Sequence, residues 1–205
     1  MNIKRILNNN VSILVGQTNT GKTMLLANIM AEYIRDYTSQ VFCYGIRPEI
    51  TDKFHPLVTP FSSVRELEQI QNGIIIIDEL GAIFDLDNRK QKRRIEQTLR
   101  LVTHHNNRLI LAGLPTDFRK FISAKSTCFM YTSLTISDLI NGSLAKTTLL
   151  EYAESELGAY VLSIPQGQVL CYDDKIIPGF WMDEFGYYED FDTKKDNLNL
   201  FKKRS

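Results

Sequence analysis

Apolar positions along the chain fall into two patterns: short continuous runs, and longer stretches with a helical repeat. The continuous runs predict buried strands at residues 11–15, 40–44, 74–77, 109–112 and 127–132. The helical repeats predict helices at residues 25–37 and 89–104. Because these strands are apolar at nearly every position, both of their faces should be covered, as in a parallel sheet. Strands that alternate with helices predict an α/β fold, with a mainly parallel central sheet flanked by helices.

Weaker signals complete this part of the chain. Ser63 and Glu66 have the spacing of a capping box, which predicts a short helix through residue 70. Residues 45–60 contain three prolines and predict an irregular segment. A loop is expected at residues 81–88.

The C-terminal third has a different pattern. Residues 159–164 and 168–172 flank the turn residues 165–167, Pro-Gln-Gly, and predict a C-terminal β-hairpin. Aromatic and acidic residues are then interspersed, and the last twelve residues are polar and are expected to be disordered. We therefore expect one domain over residues 1–178, including the hairpin, and an appended acidic-aromatic segment and tail over residues 179–205.

The first predicted strand runs directly into a complete GxxxxGK[ST] pattern. Its members are Gly16, Gln17, Thr18, Asn19, Thr20, Gly21, Lys22 and Thr23. Such a loop turns its backbone N–H groups toward phosphate oxygens, and the helix that follows presents its positive end to the same phosphates. Lys22 should neutralise the β- and γ-phosphates, and the Thr23 hydroxyl should be a ligand of Mg²⁺. We expect this P-loop to bind ATP and Mg²⁺, since no guanine-reading motif appears.

A second element with chemistry is the acidic pair Asp78-Glu79, at the end of the strand of four isoleucines. In a P-loop protein, a carboxylate at this place belongs to the magnesium shell, and Asp78 has that position. Glu79 is placed to take a proton from the attacking water as a general base, which favours ATP hydrolysis over phosphate transfer to a small molecule. The alternative is that both are solvated loop residues.

The formal net charge is zero, but its distribution is uneven. Residues 89–125 contain ten basic and two acidic side chains, and the basic run 89–94 opens the predicted helix. This run could contact a phosphate backbone or could be a solvated face, and the sequence leaves both open. An arginine acting on a neighbouring subunit's nucleotide is also expected, with Arg119 the first candidate and Arg100 the second, ahead of Arg94 and Arg108.

Other features exclude some classes of protein. Cys43, Cys128 and Cys171 lie in apolar runs without a CxxC pair, so we expect buried free thiols and no disulfide framework. Neither an 18-residue apolar run nor a signal peptide is present, so we expect a soluble protein without a transmembrane segment.

Taken together, four elements resemble the layout of the FtsK–HerA superfamily. They are the P-loop, the Ile-Ile-Ile-Ile-Asp-Glu strand, the basic helix ending in residues 103–107 (Thr-His-His-Asn-Asn) and the strand 109–112. More narrowly, the chain resembles the compact genome-packaging ATPases of membrane-containing icosahedral viruses. The resemblance covers roughly residues 12–132. It implies a RecA/FtsK-like P-loop NTPase fold, with the roles above at Lys22, Thr23, Asp78 and Glu79. The family usually has a polar γ-phosphate sensor where this chain has residues 113–115, Gly-Leu-Pro; Thr116 or Asn107 could substitute.

The resemblance also implies an ATP-driven homo-oligomeric ring that pumps double-stranded DNA into a preformed capsid. The expected partners are therefore double-stranded DNA and proteins of the capsid vertex or viral membrane, and the expected location is the host cytoplasm, the virion or both. Two alternatives remain open: a phage morphogenesis ATPase, and an ATP-dependent switch that moves no DNA. A small-molecule kinase is disfavoured by Glu79 and by the lack of an arginine-rich lid.

Overall fold

The computed structural model describes residues 3–37, 40–54, 56–86, 88, 91–118, 122, 124–135, 137–138, 164–173 and 179–185. Its strands are β1 (Val11–Val15), β2 (Val41–Tyr44), β3 (Val58–Pro60), β4 (Ile74–Ile77), β5 (Arg108–Gly113), β6 (Cys128–Tyr131), β7 (Gln168–Asp173) and β8 (Gly179–Glu184). Its helices are α1 (Ile3–Leu7), α2 (Lys22–Asp36), α3 (Pro48–Thr51), α4 (Val64–Leu67), α5 (Leu80–Ile83) and α6 (Gln91–His104). A 3₁₀ turn, Asp52–Phe54, follows α3.

These strands form one sheet in the order β3-β2-β4-β5-β1-β6-β7-β8. The pairs from β3 to β6 are parallel, whereas β7 pairs antiparallel with both β6 and β8. The predicted α/β fold with a mainly parallel sheet is therefore confirmed. Because β4, β5 and β1 are neighbours, the carboxyl ends of all three meet at one edge of the sheet, where open α/β sheets bind ligands.

Strand side chains alternate between two cores, one on each face of the sheet. Ile75 and Ile77 of β4 pack into the core beneath α4, α5 and α6. Ile74 and Ile76 pack into the core beneath α1 and α2. All four isoleucines are fully buried, which is why this strand carries no polar position.

The short segments correct two sequence expectations. The expected loop at 81–88 contains α5, which begins directly after Glu79. The expected irregular segment at 45–60 contains α3 and the edge strand β3, whose three residues are too few to show a periodic pattern. The N-cap at Ser63 is confirmed, because its hydroxyl accepts a hydrogen bond from the Glu66 amide. The Glu66 carboxylate accepts its return bond from the Ser62 amide, one residue before the N-cap, and the helix ends at Leu67 instead of residue 70.

A C-terminal hairpin is present, but its strands are β7 and β8. The predicted pairing of residues 159–164 with 168–172 is wrong, because β6 and β8 already lie along the two edges of β7. Residues 159–163 themselves lie outside the described residues, as do the tail residues 186–205.

Residues 179–185, which the sequence places in an appended segment, add the last strand to the sheet. The Phe180 ring packs on Tyr172 at a centroid distance of 4.5 Å, and the Arg5 guanidinium lies 3.7 Å above the Trp181 ring. Phe185 is 2 % exposed and reaches the P-loop, where its ring would lie 3.5 Å from a Cβ added to Gly21. The hairpin therefore packs against the loop that is expected to hold phosphate.

The cysteines are free and buried, as predicted. Burial raises the pKa of the Cys43 and Cys128 thiols to about 12, so neither is a thiolate at neutral pH. Among the described residues, no helix is both long and apolar enough to cross a membrane.

Candidate functional site

The loop between β1 and α2 has the shape of a phosphate cradle. Gly16 continues β1 by donating its amide to the Gly113 carbonyl at 3.3 Å. A Cβ on Gly16 would overlap the Thr132 hydroxyl, so only glycine fits this position. Asn19 and Gly21 adopt positive φ values of 63° and 89°, which turn the chain into α2. α2 then begins at Lys22, so its positive end faces the loop.

Side chains of the P-loop do two different things. Thr18 and Asn19 are exposed and line the cleft in front of the loop. Gln17 instead donates to the Asp138 carboxylate at 2.6 Å, and Thr20 shares a 2.7 Å hydrogen bond with Thr132. Gln17 and Thr20 therefore fasten the loop to the segment after β6.

The Lys22 ammonium spans the loop, donating to the carbonyls of Gly16 at 3.0 Å and Gln17 at 2.8 Å. Burial lowers the pKa of Lys22, and the charges of Asp78, Glu79 and Asp117 oppose that shift. Lys22 is therefore a cation beside three carboxylates of the same site.

Asp78 and Thr23 come together as the sequence predicts. The Thr23 hydroxyl donates to the Asp78 carboxylate at 2.6 Å. Asp78 is 4 % exposed, and the pKa of its carboxyl is raised by burial, against the opposing effects of the Thr23 hydrogen bond and the Lys22 charge. A hydroxyl and a carboxylate at this distance are the hard oxygen ligands that Mg²⁺ prefers, so the residues fit this ion. Within the described residues, no cluster of three or more His, Cys, Asp or Glu side chains offers another metal site.

Glu79 lies in the same cleft, one residue beyond Asp78. It is exposed and has a left-handed backbone, with φ 61° and ψ 67°. Such a conformation costs a non-glycine residue about 1–3 kcal/mol and is found most often at functional sites. It turns the chain from β4 directly into α5. The roles of Glu79 as base, and of Thr23 and Asp78 as metal ligands, remain predictions.

The cleft has a volume of about 790 Å³ and lies at the carboxyl ends of the parallel strands. It is lined by residues that follow β1, β2, β4 and β5, together with Gln166 just before β7. Two of the lining side chains, Arg47 and Asp117, were missed by the sequence analysis. Arg47 lies in the turn after β2, within a stretch expected to be irregular. The signal that could have found both is their position within a few residues of a strand's carboxyl end.

Neither of the two residues expected as a γ-phosphate sensor lines the cleft. Asn107 cannot act as the sensor. Its buried side chain donates to the Ile70 and Val102 carbonyls and accepts the Gly73 amide. These bonds lie before β5 begins, at the end of the parallel strands opposite the cleft. Thr116 is exposed and is not among the cleft residues. Asp117 lies in the cleft instead, and its carboxylate accepts the Leu114 amide at 2.8 Å.

Of the arginines expected to act in trans, the three that the structure describes do not line this cleft. Arg119 lies outside the described residues. Arg94 and Arg100 are exposed on α6. Arg108 donates to Asn10 at 2.7 Å, at the edge of the sheet away from the cleft. An arginine acting in trans would serve a neighbour's cleft, so its identity stays a prediction.

Comparisons with known proteins identify the family and the fold. A model of the ATPase family associated with various cellular activities (AAA) matches residues 12–136, more than half of the chain. No curated protein sequence matches.

Solved structures share the fold. The DNA-packaging ATPase B204 from Sulfolobus turreted icosahedral virus has a TM-score of 0.61 at 13% identity, covering 87% of this chain and 98% of that one. The genome-packaging NTPase B204 from Sulfolobus turreted icosahedral virus 2, in complex with ATP-gammaS, has a TM-score of 0.62 at 15% identity, covering 90% and 99%. The pCW3 conjugation coupling protein TcpA has a TM-score of 0.51 at 12% identity, covering 90% and 62%. At these identities the likeness establishes the P-loop NTPase fold.

Proposed function

The chain belongs to the AAA family of ATPases, and on that premise we propose that it is a motor that hydrolyses ATP with Mg²⁺ to translocate double-stranded DNA. The process that best suits such a motor is the packaging of a viral genome into a preformed capsid. The single observation that carries the hydrolytic part is the arrangement of Asp78 and Glu79 at the tip of β4, opposite Lys22 and Thr23.

Each of these residues has a separate task in the proposed reaction. The P-loop amides and Lys22 bind the β- and γ-phosphates. Thr23 and Asp78 would hold Mg²⁺, which when bound supplies positive charge to the phosphate oxygens. Glu79 accepts a proton from water as the water oxygen bonds to the γ-phosphorus. The bond from that phosphorus to the bridging oxygen then breaks, and ADP leaves.

The exposed position of Glu79 favours water as the acceptor. A phosphotransferase must exclude water from the γ-phosphate, whereas the Glu79 side chain lies at the surface of an open cleft. A neighbouring subunit that covers the cleft would complete the site. Arg119 or Arg100 of that neighbour would then act in trans on the nucleotide in the cleft.

The DNA part of the proposal has two supports. One is the shared fold with structures described as packaging ATPases. The other is the exposed side of α6, where residues three or four positions apart form one stripe: Arg93, Gln97, Arg100 and His104. Basic charge near a helix N-terminus opposes the helix dipole, so Arg93 and Arg94 do not stabilise α6. A phosphate backbone is the partner that such a stripe suits.

The test is phosphate release from ATP by the purified protein, with and without double-stranded DNA. We expect turnover that rises with DNA. The Glu79→Gln variant should lose at least 100-fold in turnover, since general-base catalysis supplies about 10²–10⁴-fold, while it still binds ATP. A matched control is Glu49→Gln, which removes an exposed carboxylate outside the cleft and should leave turnover unchanged.

The outcomes separate the candidate functions. Turnover indifferent to DNA would exclude translocation and favour an assembly ATPase or an ATP-dependent switch, while Glu79 could still be the base. Equal turnover in the Glu79→Gln variant and the wild type would remove Glu79 from that role.

A further inference from the structure

Among the residues that the structure describes, two cations line the nucleotide cleft, and only Lys22 belongs to the P-loop motif. The other is Arg47, on the wall that β2 contributes. The remaining charged lining residues are the carboxylates Asp78, Glu79 and Asp117. We propose that Arg47 contacts the γ-phosphate of the ATP bound by its own subunit. Arg47 would serve ATP hydrolysis whether or not the protein moves DNA.

The backbone before Arg47 is pressed against the tip of β4. The Asp78 amide donates to the Tyr44 carbonyl at 2.9 Å, which extends the pairing of β2 with β4 up to the metal-binding carboxylate. Gly45 follows with φ 78°, and a Cβ there would overlap the Asp78 carbonyl oxygen. Ile46 is then buried in the core beneath α2, at 8 % exposure. With Ile46 directed inward, the next side chain, Arg47, lies at the surface beside the cleft.

The backbone after Arg47 is fixed as well. The Arg47 carbonyl accepts the Ile50 amide at 2.9 Å and the Thr51 amide at 3.2 Å, which starts α3. The side chain takes no part in this cap. It is exposed, and no hydrogen bond or ion pair joins its guanidinium to another described residue. Arg47 is therefore placed by its backbone, and its side chain is available to a ligand.

The position selects the γ-phosphate among the three. The P-loop follows β1, whereas Arg47 follows β2, which lies beyond β4 and its Glu79. A triphosphate whose β-phosphate occupies the P-loop extends its γ-phosphate toward Glu79 and hence toward the wall that carries Arg47. A guanidinium is a planar fork that can donate two parallel hydrogen bonds to phosphate oxygens, which the single ammonium of a lysine cannot do.

The test compares nucleotide binding and turnover in Arg47→Ala, Arg47→Lys and the wild type. We expect Arg47→Ala to bind a non-hydrolysable ATP analogue roughly 10- to 100-fold more weakly, because it lacks a charge-assisted hydrogen bond to phosphate, while its affinity for ADP stays unchanged. Arg47→Lys should recover part of the loss. Arg65→Ala is the matched control, since Arg65 is exposed on α4 and does not line the cleft; it should bind both nucleotides normally.

A mixing experiment separates action within one subunit from action between subunits. If Arg47 serves its own subunit's nucleotide, mixtures of Arg47→Ala and Glu79→Gln subunits turn over ATP no faster than the two variants assayed separately, because every cleft carries one defect. Recovery of turnover on mixing would show action in trans and would overturn the proposal. An equal loss of ATP-analogue and ADP affinity would contradict contact with the γ-phosphate, and unchanged affinity for both would remove Arg47 from the site.

Discussion

Gly45 joins the β2 wall to the tip of β4, so replacing it should damage the side of the cleft that carries Asp78. The Gly45→Ala substitution has two effects. It places a side chain at φ 78°, in the left-handed region, and it puts a Cβ well inside 3.0 Å of the Asp78 carbonyl oxygen. Relief of that overlap requires a shift on the order of 1 Å, because carbon atoms pack at about 3.5–4.0 Å. Flanking backbone atoms must move, and the Asp78 backbone is among them.

The two effects have separate magnitudes. A left-handed alanine costs about 1–2 kcal/mol, partly offset by about 0.4–1 kcal/mol from the lower entropy of the unfolded chain. Overpacking adds about 1–3 kcal/mol. The matched control is Gly167→Ala, which has a φ of 88° but an ordinary 3.5 Å contact with the Phe185 carbonyl oxygen. Gly167→Ala should therefore lower the free energy of unfolding by about 1 kcal/mol, and Gly45→Ala by about 1–3 kcal/mol more.

Urea unfolding of both variants measures that difference. Steady-state turnover measures its consequence at Asp78, where a displacement on the order of 1 Å should lower kcat/KM about 100-fold. If Gly45→Ala is no less stable than Gly167→Ala and turns over ATP as fast, then β2 does not press against the tip of β4.

Two further predictions concern charge. Because burial raises the pKa of Asp78 above its ordinary 3.8, the folded state loses stability as pH rises through the folded pKa and that carboxyl ionises. Asp78→Asn should therefore abolish turnover yet raise Tm, with a larger gain at pH 8 than at pH 4. An equal gain in Tm at both pH values would contradict a raised pKa at Asp78. Replacing Arg93 and Arg94 by Ala should reduce the slope of log affinity for double-stranded DNA against log salt by about 0.9 for each lost phosphate contact. The control Arg35→Ala, on α2 and already paired with Asp36, should keep the wild-type slope, and an unchanged slope in the α6 variant would place DNA elsewhere.

The parts of the site that the sequence predicts are those built from one continuous segment. The P-loop is recognisable because the same eight residues form the turn, supply the lysine and open α2. Asp78 is recognisable because the four isoleucines before it predict a buried strand, and the carboxyl end of such a strand lies where parallel sheets bind ligands. In both cases the chemistry and the local structure share one stretch of chain.

The parts that the sequence misses depend on contacts between distant segments. Gln17 carries no signal for its bond to Asp138, which is 121 positions away. Asn107, adjacent to β5, has the polar side chain of a candidate sensor. Yet it is buried, and it donates to two backbone carbonyls at the end of the strands away from the cleft. Phe185 belongs to an acidic-aromatic segment, and its contact with Gly21 depends on β8 pairing with β7.

By itself, the amino-acid sequence determined the α/β class, the strand–loop–helix that cradles phosphate and the acidic pair that follows β4. These follow from short-range periodicity and from the rule that only glycine tolerates certain turns. Only the tertiary structure decided which strand ends meet, and hence that Arg47 and Asp117 line the cleft while Asn107 does not. Strand order decides which strand ends are neighbours. That order depends on burying both apolar faces of the sheet at once, which involves residues from the whole chain and cannot be inferred from a short segment.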